Sequence, residues 1–169
     1  TLTSDGDVDL LSIAKNVALG PELEPTYHSK TLLALEELGD YQITELPEGV
    51  EQDELTGCPL SDGGGWYSYI RRWYFNKKTN AQIFFTYETY DYGDKPISLE
   101  EAAKMYIGGD SDPQYQTICG CPGAFIQKDN CAEVVWFQGN DRKGVRFYLY
   151  SEYYPVEELL TMAESVRKQ

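Results

Sequence analysis

The groups able to do chemistry are one histidine, four cysteines and an abundance of carboxylates. A Ser-His-Asp or Cys-His device needs an imidazole to take the nucleophile's proton, and His28 is the sole histidine. It lies in a Pro-flanked polar stretch and reads as a surface residue. A zinc site would have to gather Cys119, Cys121 and Cys131 with His28 or Cys58, but the paired C-x-x-C spacing of structural zinc sites is absent. Asp5, Asp7 and Asp9 alternate like the start of a calcium loop. Such a loop needs Gly at its sixth position and Glu at its twelfth, and Leu10 and Asn16 stand there. Gly63-Gly64-Gly65 runs into Trp66 without the Lys-Ser or Lys-Thr of a phosphate loop. Carboxylate pairs are plentiful, yet nothing in the sequence sets two of them across one cleft. No catalytic residue, metal site or cofactor is therefore expected.

The cysteines Cys58, Cys119, Cys121 and Cys131 are candidate disulfide partners, with three full pairings open. Cys131 falls at the tip of a predicted hairpin and Cys119 and Cys121 beyond its far end, a gap of roughly 20–30 Å. A bridge needs Cα atoms within about 7 Å. Full oxidation would then leave Cys58–Cys131 and a local Cys119–Cys121 bridge. Partial oxidation and free thiols stay open.

Those residues are set out by a change of period along the chain. Leu10, Ile13, Ala14 and Val17 follow helical spacing over residues 5–19, stopped by Gly20-Pro21. A second short helix is expected over 29–38, closed by Gly39, although its leucines are poorly phased and a strand stays open. From Tyr41 the period becomes two. A short strand covers 41–46 and an acidic loop covers 48–65. Long aromatic strands cover 66–75 and 81–90, joined at Asn76-Lys77-Lys78-Thr79-Asn80. Ser98 and Glu101 form a capping box for a helix over 98–107. Four further strands are read at 114–119, 123–128, 132–138 and 145–151. Pro155 opens a last helix whose apolar stripe is Val156, Leu159, Leu160, Ala163 and Val166. Short turns between strands mean antiparallel pairing. The expected fold is α+β: one domain over 1–169, with an acidic helical part at 1–40. Residues 41–169 supply a curved antiparallel sheet, and the N-terminal, middle and C-terminal helices pack on it.

Alternation also sorts the strand faces. Ile83, Phe85 and Tyr87 share one side, as do Val134 with Trp136, and Val145 with Phe147 and Leu149; these are the expected core. The opposite sides carry Tyr67, Tyr69, Arg71 and Trp73 on one strand and Arg146, Tyr148 and Tyr150 on another. Tyr and Trp give wide contact area at low entropy cost, and Arg adds donors, so these seven are the candidate binding residues. The competing reading is that a helix covers this face, or that the tyrosines are ordinary cross-strand pairs.

Charge narrows the partner. The net charge is −14, and residues 1–62 hold 14 acids against only Lys15 and Lys30. A nucleic-acid binder needs a basic stripe to displace counterions from phosphates, and this balance excludes one. Anionic membrane surfaces are disfavoured for the same reason. The chain starts at Thr1, so any leader or membrane anchor is expected to lie outside it. With 14 tyrosines and an acidic surface, the composition points to a secreted or surface-tethered domain.

Leu46-Pro47-Glu48-Gly49, closing the first strand, resembles the "LPEG" step of a large, uncharacterised family of Gram-positive bacterial extracytoplasmic domains. The C-terminal half is similar too. It has a glycine-led strand at Gly123, a strand carrying Trp136, another strand, and the helix Glu157-Glu158-Leu159-Leu160-Thr161-Met162-Ala163-Glu164-Ser165. The likeness runs over about residues 41–166, and the "EELL-x-x-AES" ending is its most specific part. It implies a domain of lipoproteins or of single-anchor, anti-sigma-like membrane proteins, with no catalytic residue to carry over. The cysteines and the acidic N-terminal helix depart from the pattern. The expected function is a non-enzymatic sensing or interaction module binding a peptide, a glycan or a protein through the aromatic face. Two other readings stay open: a secreted hydrolase built from carboxylates, and a purely structural domain of a surface protein.

Overall fold

The computed structural model describes the backbone of residues 26–61, 66–107 and 112–169, and the side chains of these except 26–29, 60, 61, 66 and 67. The predicted helix over 5–19, the Asp5–Asp9 cluster, the side chain of His28 and the Gly63-Gly64-Gly65 run lie outside the described residues. In chain order the elements are α1 (Thr26–Leu38), β1 (Tyr41–Ile43), β2 (Val50–Ser61), β3 (Trp66–Asn76), β4 (Gln82–Asp91), α2 (Leu99–Tyr106), β5 (Gln114–Ile118), β6 (Cys121–Gln127), β7 (Ala132–Gly139), β8 (Lys143–Ser151), α3 (Val156–Glu164) and β9 (Val166–Lys168). The α+β class expected from the sequence is the class observed. Seven strands form one antiparallel sheet in the order β2-β3-β4-β8-β7-β6-β5, and β1 pairs with β9 in a separate two-stranded sheet.

Strand alternation builds two unlike sides. One side carries Ile70, Tyr74, Ile83, Phe85, Tyr87, Val134, Trp136, Phe147 and Leu149, all buried. Trp136 and Phe147 stack at 5.0 Å, a large apolar contact in the middle of the sheet. Over this side lie α1, α3 and the β1–β9 pair. Helix α3 turns Val156, Leu159, Met162 and Ala163 inward. Its first backbone N–H, at Val156, donates to Gln127 Oε1 at 2.8 Å, which meets one of the donors every helix start leaves unpaired. Helix α1 comes close because small residues meet there. A Cβ on Gly57 would sit 2.4 Å from Ile70 Cδ1 and 3.4 Å from Ala34 Cβ. Gly39, at φ +89°, ends α1 and donates to Leu35 O at 2.7 Å, a left-handed cap that favours glycine.

One arginine belongs to this covered side. Arg72 is 2% exposed. Its guanidinium donates to Tyr41 O at 2.9 Å and to Gln52 Oε1 at 2.7 Å, and it is ion-paired with Asp40. Burial of that charge is tolerated because its donors are used, and the contacts tie β3 to β1 and β2.

The other side is roofed over part of its width by α2. Ala102, Ala103 and Ile107 pack on Ala124, Ile126, Val135, Phe137 and Tyr90. The capping box forms as expected: Ser98 Oγ accepts from Glu101 N–H at 3.1 Å, and Ser98 N–H donates to Glu101 Oε2 at 3.1 Å.

Three expectations are corrected. The acidic loop over 48–65 contains a twelve-residue strand, β2, with a bulge between Gln52 and Glu54. It is a sheet edge, so Glu51, Asp53 and Glu54 keep their charges in water and the acidic pattern does not forbid a strand. The strand over 41–46 is only three residues long and joins β9 rather than the main sheet. The last helix stops at Glu164, so Val166 is buried from a strand, and Leu160 is only half-buried.

Candidate functional site

The half of the second side that α2 leaves open is set by register. Tyr69, Glu88 and Arg146 lie in one transverse row; Arg71, Thr86 and Tyr148 in the next; Trp73, Phe84 and Tyr150 in a third. A cleft of about 450 Å³ lies over these rows, lined by Arg71, Phe84, Thr86, Glu88, Arg146, Tyr148, Tyr150 and, from the end of α2, Tyr106. That volume falls within the usual range of small-ligand sites.

Of the seven candidate residues, Arg71, Arg146, Tyr148 and Tyr150 line this cleft. Trp73 stands beside it with its ring edge-on to Phe84 at 4.3 Å. Phe84 in turn meets Tyr150 at 5.8 Å, so three strands contribute one aromatic row. Tyr69 shares a row with Glu88 and pairs across to Cys58 on the edge strand, away from the cleft lining. The Tyr67 backbone pairs with Leu60, and its side chain is outside the described residues.

Four lining residues were not among the candidates. Phe84, Thr86 and Glu88 were within reach, since they alternate with the core residues Ile83, Phe85 and Tyr87. Tyr106 carries no such signal, because only the packing of α2 brings it over β8.

The cleft's electrostatics are unlike those of the chain as a whole. The Arg146 guanidinium carbon sits 3.2 Å over the Tyr106 ring centre, and the same guanidinium pairs with Glu88. The Arg146 and Glu88 side chains are 11% and 24% exposed. Burial lowers the Arg146 pKa to about 10, so it keeps its charge at neutral pH. Burial pushes the Glu88 carboxyl up, against the opposing pull of Arg71. With Glu88 matched to Arg146, the exposed Arg71 leaves the cleft one positive charge in excess. Tyr148 donates to Glu133 Oε2 at 2.8 Å, and Lys128 Nζ reaches Glu133 Oε1 at 2.5 Å. Burial, then the Glu133 charge, drives the Tyr148 phenol far up. The hydrogen bond to Glu152, more than burial, pushes Tyr150 up to about 12. Both phenols stay protonated at any ordinary pH.

Among the described residues lining the cleft, Glu88 is the only carboxylate. Two-carboxylate glycoside hydrolysis needs a second one across from it.

The cysteines are thiols in this structure. Cys58, on β2, and Cys131, just before β7, are separated by four strand spacings, about 19 Å. The Cys58–Cys131 bridge expected under full oxidation is therefore corrected: the sheet order forbids it. Cys131 also lies at the opposite end of β6 from Cys121, about 20 Å away, so the three cysteines of the weighed zinc set do not converge. Among the described residues no helix is long and apolar enough to cross a membrane.

No family model matches the chain, and no curated protein matches it. The likeness to the extracytoplasmic family thus stands on the residues quoted for it. In structure the chain is similar to a chain in the complex of Pseudomonas aeruginosa MucA/MucB, at 13% identity and a TM-score of 0.40, over 78% of this chain and 36% of that one. It is also similar to a chain of a Bacteroides thetaiotaomicron VPI-5482 crystal structure, at 13% identity and a TM-score of 0.39, over 78% of this chain and 48% of that one. The chain spans less than half the length of either, and likenesses of this size fix neither an activity nor a partner.

Proposed function

We propose that this chain is an extracytoplasmic, non-enzymatic binding module whose open sheet face takes a peptide segment of a protein partner. The segment would carry an aromatic or large apolar side chain next to a carboxylate. The observation that carries the reading is the cleft itself. An aromatic row from Trp73 to Tyr150 offers ring surface, and beside it the exposed guanidinium of Arg71 offers donors to an anion. Bidentate recognition of a planar carboxylate is what a guanidinium does best, and tyrosines supply contact area with few rotors to freeze. The one-charge excess at Arg71 gives an anionic group a local attraction within a chain whose net charge is −14. The extracytoplasmic setting is supported by the family resemblance and by an acidic, tyrosine-rich composition.

The test is a peptide array probed with the full chain, followed by calorimetry on the best segments. Segments pairing Trp, Tyr or Phe with Asp or Glu should bind, and Arg71→Ala and Tyr150→Ala should each weaken them about tenfold. Affinity indifferent to both substitutions would reject the cleft as the site. Binding to a glycan array with no peptide retained would reject the ligand class.

A further inference from the structure

We propose that Cys119 and Cys121 form a dithiol site that exchanges with low-molecular-weight disulfides bearing carboxylates. This site is on the opposite side of the sheet from the aromatic cleft and does not depend on that reading.

The β5–β6 hairpin is closed by a two-residue loop. Ile118 pairs with Cys121, which leaves Cys119 and Gly120 in the turn, at φ +50° and +74°. Two consecutive positive φ values are the type I′ pattern, whose first position favours Asn, Asp or Gly. A cysteine there holds a backbone conformation that a side chain with a Cβ adopts only under strain. Contacts to the end of α3 hold it in place. The Cys119 N–H donates to Glu164 Oε2 at 2.9 Å, and its thiol donates to Ala163 O at 3.0 Å. Two residues apart in a tight turn, the Cα atoms of Cys119 and Cys121 are on the order of 5–7 Å apart, within bridging range.

Both thiols are half-buried and line one cleft of about 430 Å³. The buried rings of Trp136 and Phe147, each 2% exposed, close its floor, and Arg167 and Lys168 bring two positive charges against Glu164, the one carboxylate among the described lining residues. A disulfide with carboxylate ends meets cations for those ends. Burial and then Glu164 push the Cys119 thiol up, while Arg167 draws it down; Cys121 has burial and Glu164 only. The first attack is assigned to Cys119, which sits in the turn beside Arg167, and resolution to Cys121 at the start of β6.

The exchange balances in two steps. Cys119 loses its proton to water, and its thiolate attacks one sulfur of R–S–S–R. Cys119–S–S–R forms and RS⁻ leaves, taking up a proton as RSH. The Cys121 thiolate, its proton likewise lost, then attacks Cys119 Sγ. The Cys119–Cys121 disulfide forms and the second RS⁻ leaves as RSH. Two electrons pass from the pair to the external disulfide, which is the oxidant.

The test uses the full chain carrying Cys58→Ser and Cys131→Ser, so that only the pair reacts. It is exposed to glutathione disulfide or to cystamine, quenched with an alkylating agent and weighed. A Cys-Gly-Cys tripeptide runs alongside. Glutathione disulfide should abolish alkylation of both thiols with no added mass, and the chain should favour it over cystamine about tenfold relative to the tripeptide. Cys121→Ser should trap a mixed disulfide on Cys119. Joint Arg167→Gln and Lys168→Gln should return the preference to that of the tripeptide. Thiols that stay alkylatable under conditions that oxidise the tripeptide would overturn the proposal. A preference equal to the tripeptide's in the unsubstituted cleft would overturn the carboxylate specificity. These readouts are blind to peptide binding at the aromatic cleft, so the two proposals fail separately.

Discussion

The two sides of the seven-stranded sheet are built from the same strands and do opposite things with charge. On the covered side the one buried cation among the described residues, Arg72, spends its donors on the fold, on Tyr41 O, Gln52 and Asp40. On the open side Arg146 is matched by Glu88 and by the Tyr106 ring, while Arg71 faces water. Alternation alone separates them, since Arg71 and Arg72 are neighbours in sequence. A residue's worth to stability and its worth to binding are thus decided by parity within a strand.

That contrast is open to attack, beginning where the effect is largest. Trp136→Ala should remove about 3–5 kcal/mol of unfolding free energy in a urea titration, because a stacked ring leaves a cavity the sheet cannot close. Tyr150→Ala, cut from the open side, should cost about 1 kcal/mol or less in the same measurement. If the two costs are alike, the open side is part of the core and not a surface. Next comes Asp40→Ala, which strips the carboxylate from a buried guanidinium. Asp40 is 37% exposed and water replaces some of what it gave, so a loss of about 2–3 kcal/mol is expected.

A smaller, pH-dependent effect belongs to Glu88. Its carboxyl is raised above the ordinary 4.5 by burial, so the folded form holds the proton more tightly than the unfolded chain. Stability from this group is therefore gained as pH falls through the folded-state value and lost as pH rises through it. Glu88→Gln should flatten that part of a stability profile measured in denaturant between mildly acidic and neutral pH. An unchanged profile would place Glu88 in a solvated site. Smallest of all, Arg71→Ala should leave the unfolding free energy within about 0.5 kcal/mol of the parent, while weakening the peptide affinity proposed above about tenfold.

The sheet was legible in the sequence wherever alternation was strict and turn residues punctuated it. The hairpin at Asn76–Asn80 and the capping box at Ser98 are local codes, and both form. The open-side row was half legible for the same reason. The rest depended on partners far along the chain. β2 hides behind its acids because an edge strand need bury only one flank of its side chains. β1 and β9 are three residues each and gain their meaning from one another across more than a hundred residues. Val166 continues the helical spacing of α3 by coincidence, so periodicity carried the helix past its end. The place of Arg72 in the core is invisible beside Arg71 until Asp40 and the Tyr41 carbonyl are seen above it.

The β1–β9 pairing has a consequence in time. Ile43 meets Val166, Tyr41 meets Lys168, and Gln169 N–H donates to Asp40 O at 2.8 Å. A nascent chain emerging from the ribosome can zip its hairpins one by one, but this last clasp waits until Lys168 has cleared the exit tunnel. Until then the core around Trp136 and Phe147 lacks Val166, and the incomplete chain leaves apolar surface open to water.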